Sequence, residues 1–192
     1  AEVLIAFLSI LFGLPSPLTP IQLLWLNLVT DAFPALALGV EPAEPGLMEE
    51  PPRDPRESII SGDVRTNLIS QSIFITLAVL GAYIVGLKWI FPDSIEGAHT
   101  MVFATLITSE LLRAFSVRST KFTLKELGFT SNPHLIKAVI LSFALLLVVM
   151  YVPFLRELFE IVAFTWEWLP VLALALIPLV FGEIAKVVRS KK

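Results

Sequence analysis

Apolar residues gather in five long runs separated by short polar connections, and this spacing predicts a bundle of membrane-crossing helices. The runs cover residues 18–40, 68–91, 97–115, 135–154 and 169–188, each close to the roughly 20 residues that a helix needs to cross hydrocarbon. Ahead of them, residues 3–14 are apolar too, but at ~1.5 Å per residue they cover only about 18 Å. They predict the end of a helix that starts further upstream. Gly13-Leu14-Pro15-Ser16-Pro17 predicts a tight turn into the next segment. The expected fold class is all-α: a polytopic membrane helix bundle.

Composition agrees with that pattern. The 192 residues are 56% hydrophobic and 16% charged, with a mean hydropathy of +0.81, whereas soluble domains lie near about 45–50% apolar and about 25% charged. Five such runs with a coherent charge bias exclude a soluble bundle of buried helices. Cysteine is absent, which excludes disulfides, cysteine-ligated zinc and thiol catalysis. No basic leader opens the chain and Ala1 stands where an initiator Met would be, so a longer parent chain is expected. No internal repeat is visible, which disfavours transporters built from duplicated halves.

Charge changes the picture by orienting the helices. The 14 basic residues are shared out unevenly. All but Lys88 and Arg156 fall in or beside the Pro-rich connection 41–67, the connection 116–134, or the C-terminus. The positive-inside rule makes those three places cytoplasmic. Trp89, Tyr151, Trp166 and Trp168 fall at the opposite helix ends, where an outer aromatic belt belongs. The expected protein is a multi-pass membrane protein with a lipid bilayer as its main partner and no nucleic acid.

Ionisable groups at membrane depth are costly and each needs an explanation. Asp31 sits mid-run, Glu110 lies inside the third run, and Glu2 begins the truncated first helix. Glu183 stands three residues before Lys186 near a helix end and reads as an interfacial acid paired along its own helix. Asn27, Thr30 and Asp31 follow an i, i+3, i+4 spacing, which on an α-helix turns a carbonyl, a hydroxyl and a carboxylate the same way. These are hard oxygen donors, suited to Ca2+ or another hard cation; a polar contact between helices would use the same residues. Pro34 predicts a kink or unwinding beside the acid. Gly81 and Gly86 suggest close helix approach. Ser70, Gln71 and Ser72 read as structural hydrogen-bonding residues, and His99 and His134 as interfacial.

The run from Pro20 to Asp31, Pro-Ile-Gln-Leu-Leu-Trp-Leu-Asn-Leu-Val-Thr-Asp, resembles the sixth transmembrane helix of type-II P-type ATPases. The resemblance continues through Pro34-Ala-Leu-Ala-Leu-Gly-Val-Glu-Pro42 and the loop from Met48 to Glu57, Met-Glu-Glu-Pro-Pro-Arg-Asp-Pro-Arg-Glu. Thr108-Ser109-Glu110-Leu111 and Gly182-Glu183-Ile184 extend it over essentially the whole chain. Asn27-Leu28-Val29-Thr30-Asp31 is similar to the calcium-pump version of the motif, in the sarco/endoplasmic-reticulum branch.

The resemblance implies that residues 1–192 are the C-terminal transmembrane domain of such a pump, from the end of its fifth helix through its tenth. It implies metal ligands at Glu2, Asn27, Thr30, Asp31 and Glu110, with Asp31 shared by two Ca2+ ions and protons returning in exchange. Ca2+ would be the transported ion. ATP and Mg2+ would act only through absent domains, because this chain holds no catalytic residue, phosphorylation motif or nucleotide site. The remaining helices and cytoplasmic domains of the parent would be its partners. A secondary cation/proton exchanger and a non-catalytic membrane scaffold are the competing expectations.

Overall fold

The computed structural model describes residues 1–49, 60 and 62–190. Arg53, Arg56, Lys191, Lys192 and the loop motif from Glu50 to Glu57 lie outside the described residues. Among the described residues there is helix and no strand.

Helix α1, Glu2–Leu11, ends where Gly13 takes a φ of +68°, a backbone state that glycine enters without Cβ strain. The turn is tied down from a distance: the buried Tyr83 hydroxyl donates to Pro15 O at 3.1 Å. Thr19 then caps α2, Pro20–Trp25, in a reciprocal capping box with Gln22, and Pro20 fills the first helical position. Buried Gln22 also donates to Phe159 O at 2.9 Å. A π-helical turn, Leu26–Thr30, separates α2 from α3, Ala32–Leu38.

Helix α4 is Gly62–Val85 and runs on through a second π turn, Gly86–Ile90. The Ser94 hydroxyl caps α5, Ile95–Ser116. The short α6, Leu124–Leu127, lies in the connection to α7, Pro133–Tyr151. Asn132 accepts from Leu135 N and Pro133 opens the first turn of α7. Pro153 begins α8, Pro153–Leu158, and α9 is Trp168–Ser190.

Among the described residues four helices are long and apolar enough to cross a membrane: Pro20–Leu38, Val64–Ile90, Pro133–Tyr151 and Trp168–Val188. The third expected run, 97–115, forms a helix of 22 residues, α5, which is not among the four. Its position explains the difference. α5 packs against α3, α4, α7 and α9 at once, so Thr100, Thr105, Thr108 and Ser109 are buried against protein and need no lipid-facing apolar surface. Tyr83, Phe103, Met101, Leu106, Leu146 and Phe164 fill the main core around it. Gly86 lets α5 approach α4, since a Cβ there would stand 3.0 Å from Ala98 Cα. At Gly81 the nearest side chain, Leu174, leaves ordinary contact distance. The outward faces carry large apolar side chains such as Leu36, Leu77 and Leu169, as a lipid-facing surface requires. At the α7–α9 end, Tyr151 donates to Phe164 O and accepts from Trp168 Nε1.

Candidate metal centre

The break between α2 and α3 follows from Pro34. An unbroken helix would bond the residue-34 amide to Thr30 O, but proline has no N–H and its ring crowds that carbonyl. The strain is relieved one turn earlier, where Asp31 N reaches Leu26 O at 3.1 Å in an i to i+5 bond. The displaced Thr30 carbonyl accepts a long hydrogen bond from Ser142 on α7, 3.5 Å away. Asp31 therefore sits at the junction of two half-helices, a place where irregular backbone is tolerated because it lines a cavity.

Three helices bring a carboxylate to this break. Glu2 from the start of α1, Asp31 from the junction and Glu110 from α5 each place one oxygen within 4.8 Å of the other two. Oxygens on opposite sides of a Ca2+ ion are about 4.8 Å apart, given bonds of about 2.3–2.6 Å. Glu110 Oε2 is buried without a hydrogen-bond partner among the described residues. Three acids this close repel one another unless a cation or protons lie between them. The arrangement is chemically suited to holding a hard cation.

The π turn alters the facing expected for Asn27, Thr30 and Asp31. Asn27 is exposed and its amide donates to Glu2 Oε2 and Leu23 O, each at 2.9 Å. To ligate a cation, that amide would turn over and present its oxygen. Thr30 is 1% exposed and lines, with Asp31, Pro34, Glu110 and Arg113, an open cavity of ≈ 220 Å³. The structure thus gathers Glu2, Asn27, Asp31 and Glu110, with Thr30 on the cavity wall behind them.

Two contributors were not legible as site residues. Arg113 reads in the sequence as a basic flank of a loop, yet it lines the cavity one turn from Glu110; the three-residue spacing from Glu110 was the available signal. Ser142 supports the break from 112 positions away, and nothing local marks it. Glu183 stays out of the cluster, bonded to Lys186, Ser116 and Leu124 N. His99, expected at the interface, is half-buried beside the Tyr83 ring.

Fold and site define a class: a polytopic bundle of membrane helices built around a broken helix with three acids gathered beside the break. Residues 15–188 match the family model described as cation transporting ATPase, C-terminus, and the chain belongs to that family. It is 36% identical over 204 residues to calcium-transporting ATPase 1 of Bacillus cereus, covering 98% of this chain and 23% of that protein. A calcium-transporting ATPase of Listeria monocytogenes is 40% identical over 192 residues, covering 97% of this chain and 21% of its own length. An endoplasmic reticulum calcium ATPase of Aspergillus fumigatus is 28% identical over 215 residues, covering 96% and 22%. The chain thus spans about a fifth of each of these relatives.

Proposed function

We propose that this chain is the membrane-embedded, ion-coordinating part of an ATP-driven Ca2+ pump. The observation that carries the reading is the convergence of Glu2, Asp31 and Glu110 on a helix break, in a chain whose relatives are named calcium-transporting ATPases. Asp31 is the central ligand, Asn27 and Thr30 add neutral oxygens, and Glu2 and Glu110 close the shell from either side. Asp31 serves both ions of a two-ion site. When the ions leave, protons neutralise the crowded acids and return in exchange.

ATP and Mg2+ act on other domains of the parent, whose phosphorylation moves the helices that hold these acids. The connections 41–67 and 116–134 and the C-terminus face the cytoplasm, where those domains would dock. The test is Asp31→Asn in the full-length protein. Phosphorylation by ATP should lose its Ca2+ activation, whereas phosphorylation by inorganic phosphate without Ca2+ should persist. Ca2+ flux driven by a gradient in the absence of ATP would favour an exchanger instead.

A further inference from the structure

Two arms leave the carboxylate cluster in the same direction and meet again. One runs from Asp31 through α3 to Glu41, three residues past the helix end. The other runs from Glu110 along α5 to Arg118, two residues past Ser116. At their far ends Arg118 Nε and Nη2 both donate to Glu41 Oε1, at 2.8 and 2.6 Å. The Arg118 side chain is 1% exposed; its Nη1 also donates to Gly128 O and its Nη2 to Ser131 Oγ.

Asn132, also 1% exposed, completes the junction. Its Nδ2 donates to Glu41 Oε2 at 2.6 Å and to Ala37 O at 3.1 Å, while its Oδ1 caps α7. Ala37 O belongs to the last turn of α3, where carbonyls have no partner within the helix. Ala37, Ala114, Phe115, Leu135 and Ala138 pack together just above the junction. Helix α3 has only seven residues and a break at its other end, so its own hydrogen bonds cannot hold it in place. Something outside the helix must set its height and rotation against α5.

We infer that the Arg118–Glu41 pair, locked by Asn132, is a clamp that positions Asp31 opposite Glu110 and so sets cation affinity from a distance. Arg118 and Glu41 are positioning residues and touch no ion. The inference rests on the cation site proposed above. An Arg fork bonded to a carboxylate is directional as well as strong, which suits a part that must fix register.

The test is made in the full-length protein, reading the Ca2+ concentration for half-maximal phosphorylation by ATP and, separately, phosphorylation by inorganic phosphate without Ca2+. Arg118→Ala should raise the Ca2+ requirement by about tenfold, the lower end of what outer supports of metal ligands cost, with phosphate reactivity retained. Glu41→Gln keeps the shape but weakens the fork and should shift the requirement the same way by less. Arg118→Lys should recover part of the loss. If Arg118→Ala does not accumulate as folded protein, Glu41→Gln and Arg118→Lys decide. Lys186→Met loosens the same end of the bundle without touching α3, and should leave the Ca2+ requirement unchanged. Clamp variants with the parent's Ca2+ requirement, or a Lys186→Met shift as large as theirs, would overturn the clamp. A parent protein whose phosphorylation ignores Ca2+ would instead overturn the cation site itself.

Discussion

Lys186 and Glu183 offer a quantitative test of how α5, α6 and α9 hold together. Lys186 is 6% exposed and its Nζ donates to Ser116 O at 2.6 Å and to Glu183 Oε1 at 2.8 Å. Glu183 keeps 23% side-chain exposure and also accepts from Ser116 Oγ at 2.7 Å and Leu124 N at 2.6 Å. Glu183→Leu therefore strips three donors and leaves a buried ammonium with one carbonyl. Removing one partner of a buried pair costs about 3–5 kcal/mol, and the partial exposure of Glu183 puts the expected loss near 3 kcal/mol. Lys186→Met is milder, about 1–2 kcal/mol, because Glu183 keeps two donors and some water. The double variant removes both charges and should be less damaged than Glu183→Leu alone, a coupling of about 2 kcal/mol. Thermal inactivation of the full-length protein in detergent reads this directly. Glu183→Leu should speed it by up to roughly 150-fold, at a factor of ten per ~1.4 kcal/mol, and Lys186→Met added to it should slow it again. Additive losses in the double variant would show that the pair is not coupled and that α9 is held by apolar packing alone.

Glu110→Gln keeps the side-chain shape but removes one charge, so the Ca2+ requirement should rise, with less damage than at Asp31; unchanged transport stoichiometry and affinity would make Glu110 structural. Gly86→Leu should separate α4 from α5, because even a Cβ there lies 3.0 Å from Ala98 Cα; heat resistance should fall by about 1–3 kcal/mol equivalent, and wild-type stability would refute the close approach. Residues 1–192 alone, folded in detergent, should not bind two Ca2+ tightly. Two ions need about 12–16 oxygens, less any that are shared, and five side chains supply too few; calorimetry showing two saturable micromolar sites would overturn that ligand count. Glu41 is partly buried, which pushes its carboxyl up, but hydrogen bonds from Arg118 and Asn132 and the Arg118 charge together hold it below its ordinary 4.5. Its contribution is therefore complete above the unfolded value and lost only as pH falls through the lower folded one. The difference in heat resistance between Glu41→Gln and the parent should be flat from pH 6 to 8 and shrink toward pH 4; a change within the neutral range would contradict the ionised clamp.

Much of this architecture was legible in the chain. Hydropathy placed every long helix, because burial in lipid or core leaves an apolar run whichever neighbour covers it. Boundaries moved where polar residues remain helical: α4 begins at Gly62, ahead of the apolar run at 68, since Thr66 and Asn67 interrupt hydropathy without interrupting helical hydrogen bonds. Asp31 and Glu110 stood out by cost alone. The broken helix beside Pro34 was expected, but its form as a π turn was not, because the strain could be released on either side of the proline. Arg118 and Glu41 meet across 77 positions, and each looks like an ordinary loop charge until the helix ends are brought together. Partners of this kind depend on packing, which a one-dimensional pattern does not contain.

Equilibrium binding of radioactive Ca2+ to the full-length protein in membranes, with and without Asp31→Asn, probes the site most directly. A cluster of Glu2, Asp31 and Glu110 with Asp31 shared between two ions should give saturable binding in the parent. It should lose essentially all of that binding in Asp31→Asn, while phosphorylation by inorganic phosphate continues. Asp31→Asn that binds as much Ca2+ as the parent, with the same affinity, would contradict the placement of the transported ion at the break between α2 and α3.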